Sequence, residues 1–200
     1  MRFFLSSLCL FMVSCASYPK KHGYQTGPVE RVIHNPYFSD TAKDYIYKAK
    51  IAAFDKVFGG ILIIKKLGDA DHRIVFTTEM GNTIFDFSMM GTEIKVNRIL
   101  EEMDRKLLIN VLKKDFTALI KETSIAEKNF ISEGERIADT HIANMRHYYH
   151  FNKGQLHKIV RTNNGKEKVV FLFTGISNNI AAQIEILHRN FQLKIVLHAI

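Results

Sequence analysis

The chain has 200 residues, of which 46% are hydrophobic and 24% charged, a composition typical of a globular protein with a sizeable core. Its net charge of +8 comes without a dense Lys/Arg run or an aromatic RNA-binding motif, so we expect no nucleic-acid partner. A basic balance of this kind also favours contact with anionic lipid head groups, and 15 Phe and 7 Tyr with no Trp indicate a β-rich core.

The first fifteen residues have the pattern of an export signal. Arg2 precedes an apolar run over residues 3–13, which is shorter than the about 20 residues that a membrane-spanning helix needs. The run leads into Met12-Val13-Ser14-Cys15, which resembles the lipobox of bacterial lipoproteins. The resemblance implies a signal peptide over residues 1–14 and a mature chain anchored to a membrane by lipid on Cys15. A plain secretory signal and an uncleaved anchor are the alternatives.

Residues 15–43 are predicted to form the lipidated N-terminus and a spacer. All three prolines of the chain lie here, Pro19, Pro28 and Pro36, and little apolar periodicity is visible. The only other cysteine, Cys9, belongs to the predicted signal peptide. The mature protein is therefore expected to have no disulfide, so its core alone must hold the fold.

From residue 44 apolar and polar residues alternate, which is the period of half-buried strands. Gly, Asp and Asn residues interrupt the alternation at short intervals, where turns are expected. We predict five adjacent antiparallel strands, over residues 45–54, 59–66, 73–79, 84–89 and 93–98. The connections between them are too short for crossover helices.

One segment follows the helical period instead. Asp104 is predicted to cap an amphipathic helix of roughly 16 residues. Its buried face is expected to hold Leu107, Leu108, Val111, Leu112, Phe116, Leu119 and Ile120. The opposite face is expected to present Lys113, Lys114, Asp115 and Lys121 to solvent.

Strands return after Thr123 and continue to the C-terminus. Asn163-Asn164-Gly165 is the strongest hairpin signal, because Asn-Gly suits a type I′ turn. The expected fold is mainly β with one long helix: a curled antiparallel sheet, or unclosed β-barrel, of roughly ten or eleven strands that wraps the amphipathic helix. A single helix of this length cannot cover the apolar face of so many strands while the sheet is flat.

No catalytic constellation is visible in the sequence, and we predict that the protein is not an enzyme. His147 and His150 are three residues apart, so a strand sends them to opposite faces, where they cannot share a metal ion. The histidines are interpreted as scattered surface or interfacial residues. We expect neither a metal nor a cofactor.

The apolar interior of the curled sheet is the candidate binding site. Phe85, Phe87 and Met89 alternate along one predicted strand, and Phe171 and Phe173 along another. A cavity lined by such side chains suits acyl chains, because burial of apolar surface supplies the binding free energy. The alternative is an interior that these side chains fill completely.

This layout resembles the LolA/LolB superfamily of periplasmic lipoprotein carriers and outer-membrane receptors, and also lipoproteins of Bacteroidetes-type bacteria. The shared features are a lipidated N-terminus, an opening strand like residues 45–54, a Gly-led strand like residues 59–66 and a helix inserted into the sheet of the domain over residues 44–200. The resemblance implies an unclosed barrel whose apolar inner face holds acyl chains. It also implies that Met80 is the exposed apolar residue that the receptor member presents between its third and fourth strands, where the receptor has a branched aliphatic residue.

These observations lead to two functional hypotheses. The first is a lipid- or lipoprotein-binding module, anchored through Cys15 to the periplasmic face of the outer membrane, with acyl chains or lipoproteins as partners. Ala16 and Ser17 favour the outer membrane under the sorting rule known for enterobacteria. The second is a structural or assembly lipoprotein whose filled β-scaffold docks a protein partner. A monomer is expected.

Overall fold

The computed structural model describes residues 17–200, and the predicted signal peptide and lipobox at Cys15 lie outside them. The described chain is mainly β with one long helix, as the sequence predicts. No helix of residues 17–200 combines the length and the apolar character that crossing a membrane requires.

Strands occupy most of the described chain. They are β1 (Gln25–Thr26), β2 (Val32–His34), β3 (Asp44–Ala53), β4 (Lys56–Lys66), β5 (Asp71–Thr77), β6 (Thr83–Met90), β7 (Glu93–Ile99), β8 (Thr123–Ile125), β9 (Lys128–Ser132), β10 (Glu135–Ile142), β11 (Met145–Asn152), β12 (Gln155–Asn163), β13 (Lys166–Ser177), β14 (Ile180–His188) and β15 (Leu193–Ala199). The count exceeds the prediction mainly because β1, β2 and β8 have only two or three residues, too few to show an alternating pattern.

Thirteen of these strands form one antiparallel sheet, in the order β1-β9-β10-β11-β12-β13-β14-β15-β3-β4-β5-β6-β7. β1 and β7 are its free edges, so the sheet is not closed into a barrel. The C-terminal strand β15 pairs with β3, which joins the strands that precede the long helix to those that follow it. β2 and β8 form a separate two-stranded sheet.

The large sheet curls around the long helix, α2 (Lys106–Ile120). Phe116 of the helix meets Phe85 on β6, while the adjacent Asp115 meets Arg161 on β12. Seven strand spacings separate β12 from β6, about 34 Å in a flat sheet. A helix is only about 10–12 Å across, so strands this far apart can contact it only because the sheet bends. We call the sheet face toward α2 the inner face and the other the outer face.

Helix α2 has nearly the predicted length and most of the predicted buried face, but Leu107 and Asp115 are reversed. Leu108 and Leu112 are buried as predicted, whereas Leu107 is 59% exposed. Asp115, predicted to face solvent, is completely buried. Positions 108, 112, 115 and 119 follow steps of four and three, so they share one face of a helix, and residue 107 points about 100° away from residue 108.

The two ends of α2 are held differently. Asp104 does not cap the helix, because Arg105 occupies the N-cap position and no side chain bonds the first turn there. At the other end, the Asn35 side-chain amide donates a hydrogen bond to the Leu119 carbonyl at 2.9 Å, and its side-chain oxygen accepts one from the Tyr37 N–H. The segment before β3 therefore satisfies a carbonyl that the last turn of a helix leaves unpaired.

The structure corrects the prediction that residues up to 43 form a spacer. Ile33, Tyr37 and Phe38 are buried in the same core cluster as the inner face. The short helix α1 (Tyr18–Lys21) lies on the outer face, where Tyr18 is buried against a second apolar cluster. The hydrophobic periodicity of this segment does not predict its packing. Prolines and short apolar runs interrupt the pattern, and single side chains make the contacts.

Candidate functional site

The inner face of β6 carries a row of apolar side chains beneath α2. The Phe85 and Phe87 rings stack with centroids 4.5 Å apart and planes 13° apart. Phe116 of α2 meets them edge-on at 5.7 and 6.3 Å. Met89 continues the row one pleat further and pairs with Ile94 on β7. The structure therefore brings the three candidate residues of β6 together, under the helix.

The inner face of β13 carries the other two candidates. Phe171 and Phe173 point to the same core cluster as the β6 row, and Tyr37 stacks on Phe173 at 4.5 Å. The Tyr37 hydroxyl donates to the Leu156 carbonyl, which fixes the ring in place. All five candidate side chains are at most 2% exposed, so protein atoms fill the interior at these positions. Their role in lipid binding stays a prediction, and an acyl chain could reach them only if a covering element moved.

Met80 lies at the tip of the turn between β5 and β6, the third and fourth strands when β3 is counted first. Its side chain is 92% exposed, and the Gly81 N–H closes the turn on the Thr78 carbonyl at 2.9 Å. The end of β5 approaches β4 so closely that a Cβ atom on Gly60 would lie 1.9 Å from the Thr77 carbonyl oxygen. Only glycine allows this approach, which sets where the Met80 turn projects.

A buried polar cluster lies under α2 and was not predicted from the sequence. Asp115 Oδ2 lies 2.8 Å from Nε2 of His188 on β14, and its Oδ1 lies 3.0 Å from Nη1 of Arg161 on β12. The Arg161 contact has the distance of an ion pair but not the alignment of a hydrogen bond. The helical spacing 108, 112, 115, 119 was the available signal, because it places Asp115 on the buried face. Its partners could not be found from the sequence, since they lie on distant strands.

His147 and His150 lie on opposite faces of β11, as predicted, but both are buried, so the surface position that was one of their two interpretations is wrong. Burial is the main reason that the pKa of His147 is lowered to about 3, and the charge of the neighbouring Arg161 contributes in the same direction. Burial also lowers the pKa of His150, whose Nδ1 lies 3.1 Å from Glu135. Within residues 17–200, no three His, Cys, Asp or Glu side chains are grouped to hold a metal ion.

An open cleft of about 550 Å³ lies where the β10–β11 and β12–β13 turns meet the start of α1. Asn164 and Gly165 in the second turn have φ of 50° and 66°, as a type I′ hairpin requires, so that sequence signal is confirmed. Polar and apolar surface line the cleft in nearly equal shares, and the five candidate residues of the interior do not line it. Its basic lining residues are Lys114, His141, Arg146, Arg161 and Lys168.

Comparison with solved structures identifies the architecture. A LolA superfamily protein from Nitrosomonas europaea matches 83% of this chain and 88% of its own, with a TM-score of 0.51 at 9% sequence identity. The protein has a LolA-like fold. A domain from Vibrio parahaemolyticus, described as an outer membrane lipoprotein-sorting protein domain, matches 78% of this chain and 83% of its own, with a TM-score of 0.47 at 7% identity.

No protein-family model matches the sequence, and no curated protein matches it significantly. The LolA-like fold nevertheless confirms the predicted fold class, a large antiparallel sheet that stays open and wraps one long helix. The resemblance of layout noted in the sequence is confirmed at the level of fold.

Proposed function

We propose that this protein binds lipids or lipoproteins in the cell envelope and is held at the outer membrane by lipid on Cys15. The observation that carries the proposal is the open sheet with an apolar inner face and one amphipathic helix lying across it, the architecture shared with the LolA superfamily protein. The lipobox at Cys15 supports the anchor independently.

Helix α2 serves as the lid in this proposal. Its Phe116 covers Phe85 and Phe87, so a displaced helix would leave two phenyl faces for an acyl chain to cover. Opening exposes the apolar face of the helix and disturbs the contact between Asp115 and Arg161, so burial of the acyl chain against the phenyl rings has to offset that cost. Asn35 holds the C-terminal end of the helix, whereas no side chain caps its N-terminal end. The lid is therefore expected to open from its N-terminal end.

One observation favours the second candidate, a filled scaffold that docks a protein partner. Each of the five predicted lining residues is packed against other core residues, and Tyr37 and Phe116 occupy the space in front of them. A scaffold needs no movement of α2, whereas lipid binding does. The two candidates therefore differ in whether the interior accepts an apolar ligand.

Uptake of a fluorescent fatty acid separates these candidates. The mature chain, residues 15–200, is purified with Cys15→Ser so that it carries no lipid of its own. We expect saturable uptake by this protein and several-fold tighter uptake by Phe116→Ala, which removes the ring over Phe85. Val170→Ala is the matched control, because Val170 is buried on the outer face of β13. If neither the parent protein nor Phe116→Ala takes up the fatty acid, the scaffold function replaces the lipid-binding one.

The anchor is tested in cells. Cys15→Ser should move the protein from the membrane fraction to the soluble fraction, because lipid anchoring depends on about 0.8 kcal/mol for each buried methylene. Intact mass measurement of the native protein should show the added acyl chains. A Cys15→Ser protein that stays entirely with membranes would contradict the anchor while leaving the uptake result unaffected.

A further inference from the structure

The open cleft beside α1, here named the basic cleft, has an unusual charge balance. Of residues 17–200, four with cationic side chains line it and no Asp or Glu does; the four are Lys114, Arg146, Arg161 and Lys168. Arg161 forms an ion pair with the buried Asp115. Arg146 has two carboxylates nearby, at 3.5 and 3.9 Å. Lys114 and Lys168 have no acidic side chain within 4.0 Å among residues 17–200. Two positive charges at this cleft are therefore uncompensated.

The donors of the basic cleft approach from several directions. Lys114 comes from α2, Arg146 from β11 and Lys168 from β13, and the side chains of Thr162 and Asn164 add neutral hydrogen-bonding groups. Arg161 is held in place because its side chain is only 8% exposed and Asp115 lies 3.0 Å from one nitrogen. A guanidinium has five N–H donors, so this contact leaves others for a ligand. Cations and amides that converge from three elements suit a tetrahedral anion with several oxygens.

We propose that the basic cleft binds a phosphate group, the one carried by the head group of an anionic phospholipid. Ser17 and Tyr18 line the cleft, and Ser17 is two residues beyond Cys15, at most roughly 7 Å of extended chain. A lipid on Cys15 would therefore hold the cleft at the depth of the phosphates of the membrane. The inference that the phosphate belongs to a membrane lipid rests on the proposed anchor. The inference that the cleft binds an anion does not.

Two pairs of variants test the basic cleft. Lys114→Gln and Lys168→Gln each remove one uncompensated charge from its lining. Lys113→Gln and Lys166→Gln remove the same charge from the same helix and the same strand, but neither residue lines the cleft. All four are made in the mature chain with Cys15→Ser, so that membrane binding through the lipid does not mask the effect. Melting temperatures without ligand verify that each variant is folded.

Flotation with phosphatidylglycerol vesicles is the first measurement, with phosphatidylcholine vesicles for comparison, and titration with glycerol 1-phosphate is the second. We expect binding to the anionic vesicles that weakens roughly tenfold in Lys114→Gln and in Lys168→Gln and less than about twofold in the two control variants. Binding of glycerol 1-phosphate that weakens in the same two variants would place the phosphate in the cleft. It would overturn the idea that binding requires a bilayer. Equal losses in all four variants would overturn the site in favour of diffuse charge, and so would no binding of either probe.

Discussion

Asp115 on α2 and Arg161 on β12 form an ion pair inside the curled sheet. Oδ1 of the aspartate lies 3.0 Å from Nη1 of the arginine, and the two side chains are 0% and 8% exposed. His188 on β14 reaches the other carboxylate oxygen at 2.8 Å. The helix is thus attached to one side of the sheet through charge and to the other through the Phe116 ring. If the helix opens as a lid, it must break the ion pair between Asp115 and Arg161 or rotate about it.

The ion pair leads to a prediction about stability. Asp115→Ala should lower the free energy of unfolding by about 3–5 kcal/mol, because it leaves the Arg161 guanidinium buried without its carboxylate. Urea denaturation followed by circular dichroism measures the change. Lys113→Ala, a charge removed from the outward side of the same helix, should cost less than about 0.5 kcal/mol.

A double variant tests whether the loss of stability in Asp115→Ala comes from the broken ion pair. Asp115→Leu combined with Arg161→Leu removes both charges and keeps side chains of similar bulk, so it should be more stable than Asp115→Ala alone. If the double variant is as unstable as the sum of its two single variants, the two residues do not interact, and the loss in Asp115→Ala comes from the helix itself.

The buried face of α2 gives a second prediction, with neighbouring leucines as target and control. Leu108→Asp places a charge in the core and should cost about 3 kcal/mol or more, whereas Leu107→Asp, at a position 59% exposed, should cost less than about 0.5 kcal/mol. Melting temperatures of the two variants are enough to compare them. Equal losses would show that the helix is rotated from the orientation described.

The low pKa of His147 predicts acid sensitivity. The unfolded chain takes up a proton at this residue near pH 6.5 and the folded chain near pH 3, so the unfolded state binds more protons between these values and stability falls as the pH falls. Between pH 7 and pH 5 the loss from His147 should be about 2 kcal/mol. His72 and His150, whose pKa values are also lowered by burial, act in the same direction.

The contribution of His147 is measured by replacing it with a ring that does not titrate. His147→Phe should remove about 2 kcal/mol of the difference in unfolding free energy between pH 7 and pH 5, although it also loses the Nδ1 hydrogen bond to Met145 at every pH. Val170→Ala, which changes a buried side chain that carries no titratable group, should leave the pH dependence as it is. An unchanged pH dependence in His147→Phe would show that the folded protein protonates this residue normally.

Strands β3 to β7 were predictable because their signal is local. The five predicted ranges between residues 45 and 98 fall within three residues of β3 to β7 at each end, and Gly, Asp or Asn residues mark the turns between these strands. The helix was found for the same reason. Alternation and helical spacing reflect which side chains are buried, and they do so over windows of only a few residues.

The contacts that make the candidate site were not predictable, because each joins distant parts of the chain. Asn35 bonds the end of a helix 84 residues later, and His188 meets Asp115 across 73 residues. The sequence did predict that Phe85 and Phe171 face inward. It could not show that Tyr37, from a proline-containing segment, fills the space in front of Phe173, since nothing local distinguishes a packed tyrosine from an exposed one.

The last prediction concerns Met80 and separates a functional loop from an ordinary turn. Met80→Glu should leave the melting temperature nearly unchanged, since the side chain is 92% exposed and the turn is closed by backbone atoms. Met90→Glu is the matched control: it is an exposed methionine at the other end of β6. If Met80 contacts acyl chains or the membrane during transfer, only Met80→Glu should slow delivery of a bound fluorescent fatty acid to vesicles. Equal delivery rates for both variants and the parent protein would make this loop a simple hairpin turn, and the likeness to the receptor member would then be limited to the fold.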